Sequence, residues 1–221
     1  MRRLLVLHAV GDPHGGTPWA QAFGAAGWAG PVQAPDLPGH AGREPPLGGA
    51  YHRTDPALVG ALVLAERHAD AQAAPAVVAG VGPSGWGAQL LALGGRAAAL
   101  VLVDGIGGPW LPAPDAVAAE REWLRSLADD PDALGPAAGG VPLDPRLRHA
   151  VPGQTDRGLA LRAAGAIPVP VLVVETRPPD QALLSAAEVD EVVTAFPAAE
   201  LIRLEAASPT EVAEVVTRWA P

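Results

Sequence analysis

Ser84 lies in the stretch Val81-Gly82-Pro83-Ser84-Gly85-Trp86-Gly87, where an apolar run from Ala76 to Val81 gives way to a helical segment from Ala88 to Leu93. A hydroxyl at a tight strand-to-helix turn, with neighbours that lack side chains, can project its Oγ into a crevice and attack a carbonyl. The next backbone N–H, that of Gly85, would face the oxyanion, and the helix that follows adds the positive end of its dipole. Such a hydroxyl also needs a general base within hydrogen-bond reach, and the base needs an acid to orient it. Six histidines are available, at positions 8, 14, 40, 52, 68 and 149, and none follows His149. His14 sits in the loop after the first apolar run, at the end where Ser84 is expected to emerge. His149 belongs to a Pro/Gly-rich region and can swing over the serine. His52 reads as a loop residue and His68 as a helix C-terminal one. A second register leaves no nucleophile at all, because it places Gly82 or Gly85 at the turn and makes the chain a pseudoenzyme.

The elements that must hold these residues are short, continuous apolar runs separated by helical segments. Leu4–Leu7, a short strand within Pro31–Ala34, Ala76–Val81, Ala98–Val103, Val169–Val174 and Glu200–Leu204 read as strands. Helices are predicted near Trp19–Ala26, from Asp55-Pro56 to His68, over Ala88–Leu93 and after Ser208-Pro209-Thr210-Glu211, which forms a capping box. Strands apolar throughout are buried on both faces, so the pattern predicts a three-layer α/β fold with a mainly parallel sheet of about six strands. The region 109–165, with a helix near Ala116–Leu127 and a second short one, exceeds a simple crossover and is expected to form a small lid in a single domain spanning 1–221. Trp110 and Trp123 from that region, with Trp86, are expected to line an apolar acyl or aromatic pocket, the alternative being ordinary core.

Three stretches in this order resemble the α/β-hydrolase superfamily over nearly the whole chain. Leu5-Val6-Leu7-His8-Ala9 stands where that family has a strand ending in His-Gly, Asp36-Leu37-Pro38-Gly39-His40-Ala41-Gly42 is similar to its Asp-x-x-Gly-x-Gly loop, and Val77 to Ala88 resembles its GxSxG strand, elbow and helix. Trp86 replaces the final glycine, but members with Gly-His-Ser-Gly-x-Gly are similar here, with Gly87 supplying the small residue. The resemblance implies Ser84 as nucleophile, Gly85 and Ala9 as oxyanion-hole donors, Asp180 as the acid after the next-to-last strand, and structural roles for His8 and His40. Glu175 and Asp104 are the alternative acids, and an Asp after two prolines also serves as a plain N-cap. The family's histidine belongs after the last strand, where this chain has Leu204-Glu205-Ala206-Ala207-Ser208-Pro209 instead.

The reaction implied is acyl transfer through Ser84. The protein would act as an esterase, a thioesterase or an acyltransferase taking an acyl group from a thioester, including one held on a carrier protein in a biosynthetic pathway. The missing histidine supports the alternative of a degenerate member that binds its ligand or acts as a nonhydrolytic cyclase.

Composition narrows the remaining possibilities. In 221 residues there is no cysteine, which excludes disulfides and thiolate sites, and the formal charge of -9 with an isoelectric point near 5.0 opposes nucleic-acid binding. No apolar run reaches the roughly 20 residues that span a bilayer, so no membrane partner is expected, and the absence of a targeting segment favours the cytoplasm. No histidine pair has metal-ligand spacing on one helix, and Asp12 with His14 alone does not hold a metal. The glycines from Gly11 to Gly16 lack the lysine of a phosphate loop, since all 15 basic residues are arginine, and Gly-x-x-His disfavours a dinucleotide site. No metal or cofactor is therefore expected. Because the chain starts at the family's third strand, an exposed sheet edge is expected, protected by self-association as a homodimer.

Overall fold

The computed structural model describes residues 2–44, 55–66, 75–105, 157–177 and 185–220. Six strands form one sheet: β1 (Leu4–Leu7), β2 (Val32–Gln33), β3 (Ala76–Val81), β4 (Ala97–Val103), β5 (Val171–Glu175) and β6 (Ala199–Arg203). Their spatial order is β2-β1-β3-β4-β5-β6, and every neighbouring pair is parallel. The helices among the described residues are α1 (Thr17–Ala25), α2 (Asp55–Glu66), α3 (Gly85–Leu93), α4 (Arg157–Gly165), α5 (Ala186–Ala195) and α6 (Pro209–Trp219).

The alternation of side chains along each strand divides the core in two. Leu5, Leu7, Val78, Leu100, Leu102 and Val173 point to one face, where α2, α3, α4 and α5 cover them. Leu4, Val6, Val77, Val101, Leu172 and Val174 point to the other, against Trp19 and Phe23 of α1 and Val212, Ala213 and Val216 of α6. On β1, β3, β4 and β5 both faces are buried, and for that reason these strands carry no polar alternation, whereas the edge strands β2 and β6 are only partly buried. The three-layer architecture is the one the sequence pattern predicts. Residues 106–156, the greater part of the expected lid, lie outside the described residues. The helix at the end of that segment, α4, belongs to the covering layer: Ala160, Ala163 and Ala164 are buried, and Ala164 packs in the core with Ile167.

Helix α5 was not predicted, although its signal is present. Ser185 accepts from the backbone N–H of Glu188, whose side chain returns to the Ser185 N–H. The same box opens α6, where the Ser208 N–H donates to Glu211 Oε2 at 2.7 Å. Replacing Ser208 with Ala orphans one donor of the first turn and should cost about 1 kcal/mol. Thermal melting is expected to show a midpoint about 3 °C lower.

The chain runs from β1 outward to β2 on one side, then returns past β1 to β3 on the other. The connections after β1 and β3 therefore diverge, and they leave a crevice at the carboxyl ends of those two strands. In open parallel sheets that is where ligands bind.

Candidate active site

At this switch point lie the loop after β1, the turn after β3, and the ends of β4 to β6. At its centre the chain reverses from strand to helix within a few residues. Val81 is still extended, at φ -106° and ψ 131°, and Gly82 to Ser84 form a single 3-10 turn that runs directly into α3. The one left-handed residue in this reversal is Gly82, with φ +51°. Among the described residues, a Cβ at Gly82 would meet the Ala9 Cβ at 3.6 Å, an ordinary contact that leaves room for it. Gly80 is packed differently. A Cβ there would lie 2.7 Å from Gly85 Cα and 2.8 Å from both Ala88 Cβ and Ser84 O, so α3 crosses β3 on the bare glycine.

Ser84 lies beyond the reversal. Its backbone is right-handed helical, at φ -70° and ψ -12°, and the residue has 0% exposure. Its Oγ donates to the His8 carbonyl oxygen at 2.6 Å, tying the first turn of α3 to the end of β1. Gly85 is likewise occupied, since its N–H donates within the turn to the carbonyl oxygens of Gly82 and Pro83. Ala9 lies beside Gly82, its Cβ 3.6 Å from where a Gly82 Cβ would stand. Trp86 lies half-buried in the first turn of α3.

His8 and His40 are buried and engaged with backbone. His8 Nε2 accepts from Leu37 N–H at 2.9 Å, and His40 Nε2 accepts from Gly11 N–H at 2.8 Å. His14 is half-buried, and its backbone N–H donates to Asp12 Oδ1 at 2.9 Å. Burial pushes the Asp12 carboxyl above its ordinary range, against the pull of the His14 N–H.

At the far wall Asp104, itself left-handed at φ +51°, gathers three donors. Oδ1 accepts from Thr176 N–H at 2.6 Å and Arg177 N–H at 3.3 Å, and Oδ2 accepts from Thr176 Oγ1 at 2.5 Å. Asp104 therefore fixes the turn after β5. Glu175, the other alternative acid, is bound instead by Arg203 at 2.7 Å. The loop after β6 is pinned to the same turn by Leu204 N–H on Glu175 O and Ala206 N–H on Thr176 O. Asp180, His149, Trp110 and Trp123 lie outside the described residues. Among those described, no group of three or more His, Asp or Glu residues is placed to hold a metal, and no helix is long and apolar enough to cross a membrane.

This architecture is shared with solved structures over almost the full chain. A thermophilic esterase from Thermogutta terrifontis, solved with malate bound, matches with TM-score 0.68 over 99% of this chain and 87% of its own, at 18% identity. The enol-lactonase from Burkholderia xenovorans LB400 gives TM-score 0.68 over 98% and 88%, at 20% identity. The thioesterase domain from the curacin biosynthetic pathway gives 0.67 over 98% and 90%, at 17% identity. The chain has the α/β-hydrolase fold. No protein-family model and no curated protein matches the sequence.

In an α/β-hydrolase of the G-x-S-x-G type, the nucleophile occupies the strained residue of the strand-to-helix turn, and the N–H after it is an oxyanion donor. In this chain the left-handed residue just after the strand is Gly82. Gly80, on which the helix crosses, stands two before it, and buried Ser84 stands two after. The residue following Gly82 is Pro83, which has no N–H to offer an oxyanion. The Ser84 hydroxyl is a buried donor to the His8 carbonyl, and the Gly85 N–H closes a turn.

Proposed function

We propose that this protein is a catalytically degenerate α/β-hydrolase, which holds a small acyl-type molecule in its crevice without forming an acyl-enzyme on Ser84. The observation that carries this reading is the left-handed glycine at the elbow. Where a side chain would carry the attacking atom there is only Gly82, although a Cβ there would rest at an ordinary 3.6 Å from Ala9 Cβ. Two further positions point the same way. Proline follows Gly82 and removes one oxyanion donor, and the loop after β6 offers Ala206 and Ala207 where the fold's enzymes carry a histidine base. A nucleophile, an oxyanion donor and a base are each replaced by a group that cannot do the chemistry. Binding a ligand, or shaping one as a nonhydrolytic cyclase does, needs none of the three.

Acyl transfer through Ser84, from an ester or from a carrier-bound thioester, is the competing reading, and the esterase and thioesterase neighbours speak for it. It requires the Ser84 hydroxyl to leave the His8 carbonyl and reach the crevice, with His14 or His149 as base and Asp180 as orienting acid. Turnover of a p-nitrophenyl ester and of an acyl thioester by the wild type and by Ser84→Ala separates the two. The proposed reading expects rates equal within about threefold, whereas a loss of roughly a thousandfold or more in the variant would establish the nucleophile. Light scattering on the same preparation checks the homodimer expected of an open edge, where β2 pairs over two residues only.

A further inference from the structure

The loops after β1 and β2 are joined by two histidines that brace each other's backbone. From the first loop, His8 Nε2 accepts the Leu37 N–H of the second loop at 2.9 Å. From the second loop, His40 Nε2 accepts the Gly11 N–H of the first at 2.8 Å. Each ring's other nitrogen faces a carbonyl within its own loop: His8 Nδ1 is 2.9 Å from Ala9 O and His40 Nδ1 is 2.8 Å from Pro38 O. These partners fix the tautomer. A backbone N–H can only donate, so both Nε2 atoms are bare, and both rings carry their single proton on Nδ1. The rings meet edge to face with centroids 5.1 Å apart, and His8 and His40 are 0% and 1% exposed.

We propose that His8 and His40 form an acid-released latch, which holds the two rim loops together while both rings are neutral and lets them part when either is protonated. A proton on Nε2 would set an N–H against the Leu37 or Gly11 N–H, turning an accepted bond into a repulsion. A charge on one ring would also disfavour a charge on the other at this separation. The first loop carries Ala9, the neighbour of Gly82, and the His8 carbonyl that holds Ser84, so parting the loops changes the wall of the crevice.

The charged and titratable groups around the pair work in the opposite direction without outweighing burial. Asp36 favours charge on both rings and Asp12 favours it on His40, while burial and the neighbouring ring hold His8 down at about 4. Burial also holds His40 below its ordinary value. Arg43 lies on the Asp36 carbonyl oxygen, His14 sits beside Asp12, and from the start of α3 the uncharged Ser84 bonds the His8 carbonyl. Both rings are therefore depressed in the closed form and ordinary, near 6.5, once released. The open form binds more protons in this window. Closure is complete above about 6.5 and is lost as the pH falls toward about 4, with opening favoured by up to about tenfold per pH unit for each ring. The inference is independent of whether the crevice binds or transforms its ligand.

Amide hydrogen exchange by NMR on the full chain, corrected for intrinsic rates and taken from about pH 7.5 to about pH 4.5, tests the latch. Protection at Leu37 and Gly11 is expected to fall by about tenfold or more per unit below about 6.5 while β3 and β4 stay protected. His8→Gln and His40→Gln, whose amide oxygen accepts the same N–H without titrating, should each flatten that slope. Flat protection at Leu37 and Gly11, or loss only in step with β3 and β4, would overturn the proposal. If the variants do not fold, the ring nitrogens of the wild type decide: bare Nε2 atoms near neutrality that gain protons as the loop amides open support it. A ring with Nε2 protonated near neutrality contradicts it.

Discussion

Alanine in place of Gly80 is expected to cost about 3 kcal/mol or more, the upper end for inserting a methyl group into a packed core. The added Cβ would sit 2.7 Å from Gly85 Cα and 2.8 Å from Ser84 O, and both are backbone atoms that cannot turn aside. The first turn of α3 would have to lift off β3, straining the Ser84 bond to His8 O and the contact of Gly85 with Gly105 behind it. For a domain of this size the thermal midpoint should drop by about 10 °C. Gly82→Ala provides the contrast. Its Cβ meets nothing closer than Ala9, at 3.6 Å, so the cost is that of a left-handed non-glycine residue, about 1 to 2 kcal/mol. Chemical denaturation of the two variants side by side checks the pair. Equal losses at 80 and 82 would mean that the helix does not cross the strand at Gly80.

Asp104→Ala should be of similar size for a different reason. The substitution removes the acceptor for the N–H groups of Thr176 and Arg177 and for the Thr176 hydroxyl, while Thr176 is 9% exposed. Orphaned donors with little access to water cost about 1 to 3 kcal/mol each where they stay unpaired, and alanine is strained at φ +51°. A total loss of about 3 to 4 kcal/mol is expected, read as a lower denaturation midpoint at unchanged slope. Asp104→Asn tolerates the left-handed backbone and keeps one carbonyl oxygen, so it should lose about half as much. If the Asn and Ala variants lost the same amount, Asp104 would not be organising the turn after β5.

The layers were legible in the sequence because burial on both faces leaves continuous apolar strands, and because Ser208-Pro209-Thr210-Glu211 announces a helix start by its own chemistry. The same chemistry at Ser185-Ala186-Ala187-Glu188 opens α5. The site was harder, since its meaning depends on a single backbone angle. Gly82 and Ser84 both lie in a glycine-rich turn after an apolar run, and the proposed place of Gly82 at the elbow rests on the end of β3 at Val81 and on its φ of +51°. Side-chain identity favoured the serine, and backbone geometry favours the glycine. The reciprocal bonds of His8 and His40 were beyond reach for a similar reason: the partners, Leu37 and Gly11, are backbone groups about thirty residues away in sequence and carry no side-chain signal.

Intact-mass spectrometry of the wild type after incubation with a fluorophosphonate and with an activated acyl ester tests the central claim most directly. With glycine at the elbow and the Ser84 hydroxyl buried on the His8 carbonyl, the protein is expected to keep its unmodified mass with both reagents. A stoichiometric adduct mapped by peptide sequencing to Ser84, and absent from Ser84→Ala, would contradict the assignment of Gly82 to the nucleophile position.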